Sequence, residues 1–204
     1  MPKVAIIGTG LIGRAWAMIF ARAGWETALT DPTPGAVKAA MDACRIGLEA
    51  LTLQGLCADP QAAHRRIVAT PSLRSALAGA EHVQENGPER LDLKREIFAE
   101  LDRLAEPEAV LASSTSAIQC SLFTEELPGR ARCLVAHPVN PPHLVPVVEL
   151  SGAPWTDPAI VARARRTFES IGQAPINVAR EIDGFVLNRL QAALLAEAFR
   201  LVEG

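Results

Sequence analysis

The sequence lacks any arrangement of cysteine or histidine that would bind a metal or form a disulfide framework. Cys44, Cys57, Cys120 and Cys133 never fall at CxxC spacing, and His64, His82, His137 and His143 make no HExxH-like pair. The cysteines read as buried thiols and the histidines, His137 apart, as surface imidazoles. Concentrated charge is missing as well. The 20 basic and 23 acidic residues are mixed along the chain, for a formal net charge of −3. No basic stripe could neutralise a phosphate backbone, so nucleic acid is not an expected partner. No apolar run reaches the roughly 20 residues that span a bilayer, so no membrane partner is expected. Met1-Pro2-Lys3 runs directly into VAIIG, without the charged and apolar regions of a leader. A cytoplasmic location is the expectation. Internal repeats and low-complexity tracts are also missing.

The 204 residues, 49% of them hydrophobic, suffice for one sizeable domain and part of another. Short β-branched runs alternate with longer amphipathic stretches, the pattern of a parallel sheet with crossover helices. Strands are predicted at 3–8, 27–31, 67–69, 82–85, 110–112, 133–137 and 147–150. Helices are predicted at 11–23, 35–54, 73–78, 91–105 and 158–171. The stretch from Gly35 to Arg66 is poor in β-branched residues and carries turn signals at Gln54-Gly55 and Asp59-Pro60, which makes it a helical excursion from the sheet. From Asp183, a plausible N-cap, DGFVLNRLQAALLAEAFRLVEG reads as a long apolar helix. Such a helix needs partners on more than one side, so residues 183–204 are expected to begin a second, helical domain after a first domain of 1–182.

VAIIGTGLIGRAWA places Gly8, Gly10 and Gly13 at a strand-to-helix junction, with Leu11 and Ile12 between them. Gly8 permits the tight turn, Gly10 lets the backbone approach a pyrophosphate, and Gly13 lets helix and strand pack closely. A glycine-rich turn that binds nothing is the alternative. Here a strand precedes, a helix follows, and Asp31 ends the next strand 18 residues beyond Gly13, where a carboxylate would receive ribose hydroxyls. Pro32, Thr33 and Pro34 follow, with no arginine for a 2′-phosphate. The expected cofactor is NAD, bound to a Rossmann-type, doubly wound, mainly parallel α/β sheet.

An NAD enzyme that oxidises an alcohol needs a base for the hydroxyl proton, and a histidine oriented by a carboxylate is the usual device. His137 and Glu149 could form that pair, with Pro138, Pro141, Pro142 and Pro146 stiffening the connection between them. Spacing alone does not distinguish this from a surface histidine beside an unrelated glutamate.

GTGLIG, ENGPERLDLKREIFAELD, SSTSAI, HPVNPP, VPVVEL and EIDGFVLNRL occur in this order. Together they resemble the 3-hydroxyacyl-CoA dehydrogenase family, and within it most the lambda-crystallin and L-gulonate 3-dehydrogenase branch. The resemblance implies that His137 is the general base and Glu149 the carboxylate that orients it. It implies that Ser116 bonds the reacting oxygen and that Asn188 helps hold the substrate. It also implies that Asn140 lies near the nicotinamide and Glu85 near the cofactor, and that Arg90 contacts cofactor or substrate unless it is only a solvated charge at a helix start. The family's helical C-terminal domain, which dimerises and closes the substrate pocket, would begin near residue 183 and be mostly absent.

The substrate implied is a small hydroxy acid or a hydroxyacyl-CoA. AVKAAMDACRIGLEALTLQGLCAD holds only Lys38 and Arg45, which disfavours CoA phosphates. HPVNPP favours the free-acid branch, while a carnitine-type enzyme would usually carry phenylalanine where this chain has Val139. A non-catalytic, crystallin-like NAD-binding protein is the reading from another class.

Overall fold

The computed structural model describes residues 1–203. Its strands are β1 (Lys3–Ile7), β2 (Glu26–Thr30), β3 (Ile67–Ala69), β4 (His82–Glu85), β5 (Val110–Ser113), β6 (Cys133–Pro138), β7 (Val147–Gly152) and β8 (Ala174–Val178). Its helices are α1 (Leu11–Arg22), α2 (Ala36–Leu53), α3 (Pro60–Arg65), α4 (Leu73–Leu77), α5 (Leu91–Leu104), α6 (Cys120–Thr124), α7 (Pro158–Ser170) and α8 (Leu187–Glu203). The strands form one sheet in the order β3-β2-β1-β4-β5-β6-β7-β8. All neighbours are parallel except β6 and β7. The chain reverses direction across the sheet between β3 and β4, which leaves a crevice at the carboxyl ends of β1 and β4.

Strand period decides which core each residue joins. Along β1, Val4 and Ile6 enter the core with α1, α2 and α7, whereas Ala5 and Ile7 enter the opposite core with α4, α5 and α6. Both faces are covered, so Val4–Ile7 of β1 and Val110–Ala112 of β5 are buried apolar runs, while β4 buries the polar His82, Gln84 and Glu85. Trp16 and Phe20 of α1 and Phe168 of α7 are fully buried on the first face. Burial of each such side chain contributes about 1.5–3 kcal/mol relative to exposure.

The predicted strands and helices are present, with ends that differ by one or two residues. Asp59-Pro60, read as a turn, instead starts α3: the Asp59 side chain accepts from the Ala62 amide at 2.8 Å and Pro60 occupies the first helical position. The five-residue α6 is too short to show a period, and the exposed edge strand β8 lacks clean alternation. His82 is not a surface imidazole; it lies inside the first core between Phe20 and Phe168. The last helix begins at Leu187 rather than beside Asp183. Asp183 accepts instead from the Gln119 side chain at 2.8 Å. Among the described residues, no helix is long and apolar enough to cross a membrane, and no cluster of His, Cys, Asp and Glu could hold a metal ion.

Candidate active site

The turn after β1 is built as the glycine spacing requires. Gly8 has φ 86°, and a Cβ there would lie 2.8 Å from the Asn86 carbonyl oxygen. A Cβ on Gly13 would lie 2.0 Å from the Gly8 carbonyl oxygen, so neither position admits a side chain without moving backbone. Gly10 differs, since a Cβ there would meet nothing within 4 Å. It lines a cleft of ≈ 670 Å³ with Gly8, Thr9, Asp31, Asn86 and Gly87. Gly10 precedes Leu11 and Ile12 at the start of α1, where no side chain caps the helix and no acidic residue stands in the first turn. The positive end of the helix dipole is therefore free to meet an anion.

Asp31 stands just beyond β2 with its carboxylate held open at the cleft. One oxygen accepts from the Thr9 amide at 2.7 Å and hydroxyl at 3.0 Å, and the other from the Thr33 amide at 2.9 Å. Partial burial pushes the carboxyl up, but the hydrogen bonds from Thr9 and Thr33 outweigh it and hold the group below its ordinary value. A charged carboxylate beside a glycine turn at a helix N-terminus fits a dinucleotide whose ribose carries free hydroxyls.

His137 and Glu149 face each other directly across the antiparallel β6–β7 pair. Both are buried, and His137 Nδ1 lies 2.8 Å from Glu149 Oε2. Strand register brings them together, so the prolines of the connection are not what aligns them. Glu149 Oε1 accepts from the amides of Val186 and Leu187 at 2.9 and 3.0 Å. Glu149 therefore takes the place at the start of α8 that the sequence suggested for Asp183.

The loop after β5 reaches the same sheet edge. Asn188 Nδ2 donates to the Ser116 carbonyl at 2.8 Å, which joins two of the expected site residues through backbone. Glu89, overlooked in the sequence, anchors this loop: its Oε1 accepts from the Thr115 hydroxyl at 2.5 Å and from the Ser116 and Ala117 amides at 2.9 Å. A second carboxylate four residues after Glu85 was the only signal for it. A buried polar chain supports the region from behind: Gln84 donates to Ser114 Oγ and Ser114 to Asn86 Oδ1, both at 2.8 Å.

Two expected contacts fall elsewhere. Glu85 is wholly buried and accepts from Lys94 at 3.1 and 3.0 Å, from the Ser113 hydroxyl at 2.6 Å and from the Gly87 amide at 2.5 Å. Its side chain presents no surface to a cofactor, because the charge of Lys94 draws it inward. Arg90 is exposed and bonded to Asp92, so it matches the solvated charge at a helix start rather than a cleft residue. Asn140 is exposed two residues beyond β6.

Residues 3–182 match the family model described as "3-hydroxyacyl-CoA dehydrogenase, NAD binding domain". A lambda-crystallin homolog from Bos taurus is 47% identical over 203 residues, which are 98% of this chain and 63% of that protein. An L-carnitine dehydrogenase from Streptomyces coelicolor is 40% identical over 200 residues, 98% of this chain and 62% of that protein. The crystal structure of 3-hydroxybutyryl-CoA dehydrogenase from Escherichia coli superposes with a TM-score of 0.93 at 26% identity, covering 99% of this chain and 43% of that one. This chain thus spans less than two thirds of the curated relatives it matches. With the glycine turn, Asp31 and the strand order in place, the chain belongs to the 3-hydroxyacyl-CoA dehydrogenase family through its NAD-binding domain.

Proposed function

We propose that the protein oxidises the 3-hydroxyl of a small free 3-hydroxy acid, such as L-gulonate, to the 3-keto product, with NAD as acceptor. The observation that carries this reading is the buried His137–Glu149 pair, placed at the same sheet edge as the glycine turn. Glu149 Oε1 already accepts two amide protons, so the carboxylate is an acceptor and Nδ1 is the donor between the pair. That leaves His137 Nε2 with a free lone pair to take the hydroxyl proton. Glu149 then offsets the positive charge that develops on the ring. NAD held by Gly8, Gly10, Gly13, Leu11, Ile12 and Asp31 would supply the hydride acceptor. Ser116 would bond the reacting oxygen, while Asn188 fixes the Ser116 backbone and helps hold the substrate. Asn140 would stand on the nicotinamide side.

The free acid is favoured over a CoA thioester by the poverty of cations on α2. Of Lys38 and Arg45, Arg45 is paired with Glu49 at 3.2 Å, which leaves one uncommitted charge for a phosphate-rich tail. The exposed apolar side chains of α8, Leu190 at 64% and Leu194 at 72% exposure, support association of two copies through this end of the chain. Likeness to lambda-crystallins favours a second reading, an NAD-binding protein without turnover, although His137, Glu149, Ser116 and Asn188 are all present.

NADH formation with L-gulonate, L-carnitine and 3-hydroxybutyryl-CoA side by side tests the proposal. Turnover of a free acid is expected. Preference for the thioester would overturn the substrate assignment, and NAD binding without turnover of any would favour the second reading.

A further inference from the structure

Phe185 is the one residue other than glycine with positive φ among the described residues, 49°, and it follows Gly184 at φ 74°. A bulky side chain in this left-handed region carries strain that its surroundings must hold in place. The side chain is wholly buried, and its ring lies against the His137 imidazole with centroids 5.2 Å apart and planes 35° apart. Directly after it the chain enters α8, and the next two amides, of Val186 and Leu187, are the pair that converge on Glu149 Oε1. Consecutive amides that converge in this way form an anion-binding concavity, here at the positive end of a 17-residue helix.

Phe185 therefore touches His137 directly and bears on Glu149 through the two amides that follow it. Its ring backs His137 and shuts that face of the imidazole off from water. Its backbone turns the amides that hold one Glu149 oxygen, and that leaves the other oxygen aimed at Nδ1. Without the two amides Glu149 could swing away, because the His137 contact is then its only side-chain hydrogen bond. Among the described residues α8 has no buried residue of its own, and its ties to the sheet domain include this junction and the Asn188–Ser116 bond.

We propose that Phe185 is a positioning residue for the His137–Glu149 pair, its left-handed turn coupling the seat of α8 to the orientation of the base. The proposal rests on reading His137 as that base. Substitutions Phe185→Ala and Phe185→Leu test it in the full chain, through turnover of the best substrate, NAD affinity and the downfield proton resonance of His137 Nδ1–H. Phe185→Ala is expected to lower kcat about 100-fold, the cost of a misplaced reacting group. It should leave NAD affinity unchanged and broaden the resonance through exchange with water. Phe185→Leu restores buried bulk and should recover part of both losses. Unchanged kcat and resonance in Phe185→Ala would overturn the proposal. So would an equal fall of kcat, NAD affinity and thermal stability in both variants, which would mark a general structural role. If the unsubstituted protein turns over no substrate, the resonance decides: its loss in Phe185→Ala with NAD binding intact sustains the positioning role, and its persistence overturns it. The missing turnover then counts against the base assignment alone.

Discussion

Substitution of Lys94 by methionine is expected to be one of the most damaging single changes outside the apolar core. Lys94 is 1% exposed, and its Nζ donates to both Glu85 oxygens. Glu85 has no exposed surface to recover in water. Lys94→Met keeps the apolar stem but leaves Glu85 as a buried anion with only the Ser113 hydroxyl and Gly87 amide as partners. Glu89 stands 3.9 Å from the same ammonium, so a second carboxylate loses its nearest cation. Breaking a buried pair in this way costs about 3–5 kcal/mol. For a chain of this size that lowers Tm by about 10 °C, at roughly 2–4 °C per kcal/mol. Scanning calorimetry or urea unfolding measures it. The double variant Glu85→Gln, Lys94→Met removes the stranded charge; its amide keeps the Gly87 bond, and the Ser113 hydroxyl can turn to accept. It should recover most of the loss. A Tm fall of under about 3 °C for Lys94→Met, or a double variant no better than the single, would refute this account of the buried pair.

Burial pushes the His82 imidazole down to about 4 from an ordinary 6.5, against the Gln84 hydrogen bond that raises it. The unfolded chain therefore takes up this proton first. His82's contribution is fully present above about pH 6.5 and is lost as pH falls toward 4, on the order of 3 kcal/mol at its full extent. Urea midpoints from pH 7 to 4.5 should show that loss, and His82→Phe should flatten it; an unchanged slope would contradict the assignment. Asp31→Ser removes the carboxylate expected to receive the ribose hydroxyls and to repel a 2′-phosphate. NAD affinity should fall about 10- to 100-fold, as for loss of a charged hydrogen bond, with NADP losing less; titration of both nucleotides checks this.

The parts of the molecule visible in the sequence are those governed by local periodicity. β3 and β4 begin and end where Ile67–Ala69 and His82–Glu85 predict, and the glycine spacing located the Gly8 turn because only backbone-level constraints act there. The His137–Glu149 pair was visible as two residue types on successive strands. Their direct opposition was not, because neither the antiparallel pairing of β6 with β7 nor its register can be read from the residue pattern of either strand alone. Glu89 and Lys94 look like ordinary charges of an amphipathic helix start, and only the packing of α5 on the β5 loop separates Glu85, turned inward, from Glu89, turned to Ser116. The capping of α8 by Glu149 was equally hidden, since the cap lies 37 residues away in the chain from Val186 and Asp183 offered a local alternative.

Replacement of His137 by glutamine, in a chain shown to turn over its substrate, tests the central claim most directly. Glutamine keeps a polar group of similar reach to Glu149 but has no nitrogen able to accept the hydroxyl proton near neutral pH. Stopped-flow NADH formation and NAD affinity, measured on the same samples, separate chemistry from binding. Hydride transfer should fall about 100- to 10,000-fold, the usual worth of a general base, with NAD affinity unchanged. Retained turnover, or equal loss of turnover and NAD affinity, would contradict the assignment of His137 as the base.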